Sequence, residues 1–507
     1  MKDLWRRGVL LGCVFLLLAG GGAPLLAATY HVATGGSDSS GNGSKDHPWA
    51  TISHALISIP DGSVVEVHPG TYTGQVSLRG NFAGMVTVRS QVPYQARLRN
   101  NGSVVTAYGG SGPVIGITLE GFDIAHTGSG SSPLVIHIDG GGNNMVRNIS
   151  LINNILHDSF NNDILKIDNA CTNIRVQGNI FYNQSGSDEH IDINSVRDVL
   201  VEDNIFFNDF EGSGRVNGNN TSSCIVIKDS NQGNDLFIGS HDITIRRNIF
   251  LHWQGSDGSN FVLIGEDGMN YYEGYDILVE NNLMLGDSAS RIRAAFGVKG
   301  GRDITFRNNT VSGDLPALAY AMRLNTEGSN PPTKNVRFYN NIWVDQTGSM
   351  GAETLTGRDD FSDTPVGESV DTVLANNCYW NGGDAMPYDA AETLNYTDDP
   401  ARLVADPQLL APTAIVLPHW RESEARFGDG STTIRAAFER LAGYAAPGSA
   451  SPVIDRADPA HAPADDILGH PRSGAPDIGA GEMPSGGEPG PGEPDAKGIV
   501  PTYLLLL

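Results

Sequence analysis

The chain has 507 residues, 62 of them glycine, with 18% charged residues and a formal net charge of −25. That acidity excludes a general nucleic-acid binder, which needs a basic footprint, and a polyanionic ligand would be repelled without a local basic cleft or a bound cation. Few charges beside abundant glycine and asparagine point to many tight turns, hence to an all-β architecture rather than a helical bundle.

The N-terminus reads as a targeting segment over residues 1–28. Lys2, Arg6 and Arg7 are followed by an apolar run from Gly8 and by Ala27-Ala28. Such a start directs export to the outside or the surface of the cell. The run is also just long enough to span a membrane, but Gly20-Gly21-Gly22 and Pro24 weaken a stable span. Beyond it stand Cys171, Cys224 and Cys378, too few and too far apart for a disulfide framework or metal-ligand spacing. They are expected as buried small apolar residues. Trp49, Ile52, Leu56 and Ile57 share one helical face, fit to cover the open end of a β structure.

A short pattern then recurs. Two apolar residues flank one residue, two more follow, and an asparagine comes next: Ile149 and Leu151 with Asn154, Ile174 and Val176 with Asn179, Val199 and Val201 with Asn204. Asn248, Asn282, Asn309, Asn341 and Asn377 continue it, in steps of 25, 25, 44, 34, 27, 32 and 36 residues. A minimum near 25 with variable excess predicts stacked coils with insertions. The alternation makes each segment a strand with one inward face. Asparagine at the corner tolerates left-handed backbone angles, and its amide can bond to the next asparagine along the stack. A second strand precedes each of these, as in Ile136-His137-Ile138, Leu165-Lys166-Ile167 and Ile191-Asp192-Ile193. Two strands per coil, stacked in parallel, predict a solenoid over residues 29–405 with an N-terminal capping helix.

The opening, with Tyr30-His31-Val32 and Pro48-Trp49-Ala50-Thr51-Ile52, resembles that of secreted right-handed parallel β-helix proteins of the pectate-lyase-like superfamily. The pieces Asp406-Pro407, Ser451-Pro452-Val453-Ile454-Asp455 and Pro476-Asp477-Ile478-Gly479-Ala480 resemble the choice-of-anchor type of segment that closes such chains, here over 406–483. The resemblance implies a right-handed parallel β-helix and export. A Pro/Gly/Glu-rich stretch over 484–507 reads as a disordered linker ending in a short apolar tail, a surface-sorting remnant or a plain terminus.

Aligning the second strands makes two outward columns: His137, Lys166, Asp192, Val226, Leu263, Gly297 and Arg323, and beside them Asp139, Asp168, Asn194, Lys228, Gly265, Lys299 and Asn325. In the lyases of that superfamily such a stripe removes the C5 proton beside a uronate carboxylate and expels the glycosidic oxygen, which needs a base and a neutralising cation. Candidate catalytic groups are Lys166, Lys228, Lys299 and Arg323, the last to hold a carboxylate. Asp139, Asp168, Asp188, Glu189 and Asp192 are candidate calcium ligands. His137, Asn194, Asn325, Tyr271 and Tyr272 are candidate substrate contacts, the tyrosines on an insertion over 265–275 expected to overhang the same side as one over 209–223. Gly297, Gly300 and Gly301 promise open space around Lys299. The acids beside the lysines would raise their pKa values unless calcium takes the charge. The expected activity is β-elimination on an acidic polysaccharide by a monomer. Hydrolysis by Asp168 and Asp192, or non-catalytic glycan binding with attachment at the cell surface, are the alternatives.

Overall fold

The computed structural model describes residues 27–315, 318–351 and 360–483. All but the last two residues of the expected targeting segment, and the whole of 484–507, lie outside the described residues. Among the described residues no helix is long and apolar enough to cross a membrane.

Three long parallel sheets wrap one core. The first sheet has 13 strands, from Thr29–Val32 to Thr333–Tyr339 and the short strands paired with it. The second has ten, from Val76–Leu78 to Ser362–Asp363. The third has 12, from Gly70–Thr73 to Leu403–Val404. Each coil visits them in the order second, first, third, as in Leu165–Asp168, Thr172–Gln177 and Ile180–Tyr182. The chain is thus a parallel β-helix with three strands per coil, not two. The third strand escaped the sequence pattern because it is only two to four residues long in most coils and buried on both faces, so its apolar run shows no alternation.

The asparagine ladder is continuous. Asn154 Nδ2 donates to Asn179 Oδ1 at 3.1 Å, and the same bond links 179 to 204, 204 to 248, 248 to 282, 282 to 309, 309 to 341 and 341 to 377. Asp399, needing only to accept, ends it. Each Asn side chain from 179 to 377 also accepts the backbone N–H of the preceding rung, as Asn204 N to Asn248 Oδ1 at 3.0 Å, and Asn154 accepts that of Phe122 at 2.9 Å. The left-handed residue is not the rung itself but the one before it: Asn153, Gly178, Asp203, Arg247, Asn281, Asn308, Asn340 and Asn376. A second left-handed column opens the first-sheet strands at Asn148, Asn173, Asp198, Asp242, Asp276, Asp303 and Asn335.

The helix Ile52–Ser58 covers the N-terminal end, capped by Thr51, whose side chain accepts from His54 N. Trp49, Ile52, Ala55 and Leu56 face inward, whereas Ile57 is 66% exposed, one position off the expected face. The three cysteines are buried and free.

Residues 406–483 lie along the outer face of the third sheet. Ile434, Phe438 and Leu441 of helix Ile434–Ala442 pack on Ile155, Ile180, Ile205, Ile249 and Leu283. The left-handed corner residues hold this segment one coil at a time. Arg247 donates to Asp465 (2.6 Å), Asn308 to the Asp477 carbonyl (3.0 Å), Asn340 to Asp458 (3.1 Å) and Asn376 to Arg456 (2.8 Å), while Asn281 accepts from Arg472 (3.0 Å). The outer face of the second sheet is left uncovered by this segment.

Candidate functional site

The second sheet places the stripe in register. His137 pairs with Lys166, Lys166 with Asp192, Asp192 with Val226, Val226 with Leu263, Leu263 with Gly297 and Gly297 with Arg323. Asp139, Asp168, Asn194 and Lys228 form the neighbouring column.

At its centre Lys166 donates to the buried Asp192 carboxylate, and Lys228 Nζ stands 3.8 Å from the same oxygen while donating to Glu266 at 2.6 Å. Burial opposes both ammonium charges. Asp192 and Asp163 outweigh it at Lys166, and Asp192 and Glu266 do so at Lys228, so both lysines are held above their usual range. Asp163, Asp188 and Glu189 converge beside them, with one oxygen from each within 4.8 Å of the others. Burial and then Asp192 push the Asp163 carboxyl up to about 7, and burial followed by Asp163 pushes Glu189 well up. Asp163 Oδ1 accepts the Glu189 N–H at 2.9 Å, while its buried Oδ2 has no partner. A hard, oxygen-only donor set with an orphaned buried oxygen fits calcium chemistry. Sequence reasoning missed Asp163, although it stands two residues before Leu165 as Glu189 does before Ile191, its register partner.

The five expected calcium ligands therefore separate. Asp188 and Glu189 join Asp163; Asp192 stands next to them as a lysine partner; Asp139 and Asp168 converge with His137 into a second group whose ligand atoms lie within 4.8 Å of one another and could hold a metal ion. Both Asp168 oxygens lie within 3.2 Å of His137 Nε2, and Asp139 accepts from Gly141 N and Asn169. Burial opposes the His137 charge, but Asp168 outweighs it and raises the imidazole.

The remaining candidates stand outside this centre. Lys299 donates to Glu327 at 2.5 Å and is 8% exposed. The space expected around it is filled, since a Cβ on Gly297 would meet Asn260 Oδ1 at 2.5 Å and one on Gly301 would meet Ile304 and Val298 at 2.7 Å. Arg323 reaches the Gly258 carbonyl and lies 3.4 Å from Asp363, which Arg293 also binds. Asn194 both donates to and accepts from Ser230, and Asn325 Oδ1 is buried without a partner. Tyr271 donates to the Asp229 carbonyl and accepts from Gln232 N, bracing the loop 229–239. Tyr272 lies towards Arg302 of the first sheet.

The insertions rise from opposite edges of the second sheet rather than from one side, because 209–222 enters the strand Ser223–Lys228 while 265–273 leaves the strand Asn260–Ile264. They approach each other at Ser222 and Glu266. The loop 265–273 folds around the fully buried Glu273 carboxylate. It accepts from the N–H groups of Glu266, Asp267 and Met269 and from Asn330, and so sets Glu266 against Lys228.

Fold and stripe together define a parallel β-helix protein with an acid–lysine centre on its uncovered face. No known family profile matches the chain, and no curated protein sequence matches it. Solved structures similar to it include the pectate lyase Pel9A, at 12% identity over 90% of this chain and 96% of that one with a TM-score of 0.49. A rhamnogalacturonan lyase matches at 15% identity over 82% and 99%, TM-score 0.43. A lacto-N-biosidase from Eubacterium ramulus matches at 11% over 75% and 67%, TM-score 0.49.

Proposed function

We propose that this is an extracellular polysaccharide lyase that cleaves an acidic glycan by β-elimination, with calcium held by Asp163, Asp188 and Glu189. The observation that supports this most is the convergence of those three carboxylates, one with an orphaned oxygen, directly beside Lys166 and Lys228. Bound calcium would supply a counter-charge for the substrate carboxylate and, at Asp163 and Glu189, would offset part of the negative charge that adds to Asp192 and Glu266 in keeping the lysines protonated. Lys228 is the base in this reading. Its nearest partner, Glu266, sits on a loop, and it meets Asp192 only at 3.8 Å. Neutral Lys228 Nζ takes the C5 proton, the C5–H electron pair becomes the C4–C5 double bond, and the C4–O4 bond breaks. Lys166, still charged, returns a proton to the departing oxygen. Hydrolysis by Asp168 and Asp192 has less behind it, because each is already engaged by a cationic side chain, His137 and Lys166.

The test is absorbance of the unsaturated product on a panel of polyuronides and glycosaminoglycans, with calcium and with chelator. Calcium-dependent absorbance supports the reading. A folded protein that yields none, and no new reducing ends, turns it towards non-catalytic glycan binding.

The acid cluster also predicts a pH signature. The folded-state value of Asp163, about 7 against an ordinary 3.8, means that its stabilising contribution is complete below about pH 4 and is lost as pH rises through about 7. Calcium binds the deprotonated carboxylates, so it opposes that loss. The increase in melting temperature on adding calcium is expected to grow from about pH 5 to about pH 8. An increase of the same size at both values would remove the cluster as the calcium site.

A further inference from the structure

The two columns continue beyond His137 and Asp139 towards the N-terminus. Ser77 pairs with Thr106 and Thr106 with His137, while Tyr108 pairs with Asp139. Arg79 follows Leu78 on the same strand line and opens on the same groove, of about 570 Å³, together with Gln75, Ser77, Thr106, Tyr108 and His137. Arg79 is exposed and makes no hydrogen bond or ion pair among the described residues. The other cations of the stripe each have a carboxylate: His137 has Asp168, Lys166 has Asp192, Lys228 has Glu266, Lys299 has Glu327 and Arg323 has Asp363. Beside this unpaired guanidinium the Tyr108 ring lies across the turn Gly109–Ser111, 52% exposed. A Cβ on Gly110 would stand 2.4 Å from the Tyr108 ring, so glycine is what lets the ring lie there.

We infer that this groove is a remote subsite for an anionic sugar of an extended glycan, with Arg79 holding its carboxylate or sulfate and Tyr108 stacking on its ring. A guanidinium presents the paired donors that a planar anion accepts. Ser77 and Thr106 offer hydroxyls of the kind that meet sugar hydroxyls, and an exposed aromatic face suits an apolar pyranose face. The coil containing Arg79 lies four steps from that of Asp192, roughly 19 Å at about 4.8 Å per coil. Only a chain of several sugars reaches from the lysine–acid centre to Arg79, so the groove selects for polymer length and for charge. This assignment rests on the glycan-binding part of the function proposed above, but not on the elimination step.

The test uses the Lys228→Ala protein, which does not consume its ligand in that reading, and calorimetric titration with polygalacturonate, polymannuronate and chondroitin sulfate. The corresponding unsaturated disaccharides serve as short probes. On this background Arg79→Ala and Tyr108→Ala are expected to weaken binding of at least one polymer by roughly tenfold or more, and to leave its disaccharide unchanged. Polymer affinities that neither substitution changes, or a protein that binds none of the three polymers, would overturn the assignment. If the wild-type protein shows no lyase activity but Arg79→Ala still cuts polymer affinity, the groove stands and elimination falls. If lyase activity is present with the same preference for long chains in Arg79→Ala as in wild type, elimination stands and the groove falls.

Discussion

Replacing Lys228 with alanine is expected to lower the rate of product formation by about 10²–10⁴-fold, the usual contribution of a positioned proton-transfer group. The side chain is the point at which the stripe, the acid cluster and the loop 265–273 meet: Asp192 lies below it, Glu189 beside it and Glu266 above it. Lys166→Ala should also slow the reaction, since Lys166 shares Asp192, but it should leave the wild-type rise of rate with pH in place. That rise reports loss of the proton from the base, and the acids around Lys228 move it to high pH. Rates are read on the best polymer of the panel, with circular dichroism confirming that each variant is folded. A Lys228→Ala protein that keeps more than about a tenth of the activity, beside a dead Lys166→Ala protein, would exchange the two roles.

The largest loss of stability is expected in the ladder, at Asn248→Ala. The Asn248 amide donates to the Val201 and Arg246 carbonyls and to Asn282, each at 3.0 Å, and its oxygen accepts both the N–H and the amide of Asn204. Alanine removes all five bonds at once in a place no water reaches, and each buried group left without a partner costs about 1–3 kcal/mol. The denaturation midpoint should fall by an amount corresponding to several kcal/mol. Asn248→Asp should be nearly as damaging despite its shape, because it has no donor for the next rung. Asp399 tolerates a carboxylate only as the terminal rung, where it accepts from Asn376 N, Asn377 N and the Asn377 amide. A midpoint for Asn248→Ala within experimental error of wild type would mean that the ladder decorates the fold rather than holding it.

What the sequence displays here follows from periodicity. Alternation of the kind in Leu165-Lys166-Ile167 cannot slip without turning a face outwards, so the pairing of His137 with Lys166 and of Lys166 with Asp192 was legible from apolar spacing alone. The ladder was legible for the same reason. The left-handed column from Asn148 to Asn335 was equally open to view, since an Asn or Asp stands directly before each apolar pair, but its mixed residue types hide it beside the uniform asparagines of the ladder. What stayed hidden is what comes from loops and short strands. Glu266 and Glu327 reach the stripe from insertions without a repeat, and Asp163 sits just outside the aligned pair. Arg79 and Tyr108 belong to coils that lack the corner asparagine altogether, so the pattern that located the stripe stopped two coils early.

The C-terminal segment grips Arg247, Asn281, Asn308, Asn340 and Asn376, one handhold per coil. A solenoid usually tolerates the gain or loss of whole repeats, because each coil needs only its neighbours. Here the strap acts as a ruler laid along five coils, and a coil added or deleted between 247 and 376 would leave its marks out of step with the chain. The same segment reaches back to Tyr94, Arg97 and the third-sheet column from Ile155 to Leu283, so the coil count is fixed along the half that carries the lysine–acid centre and the Arg79 groove as well, and with it the span of glycan that face can hold.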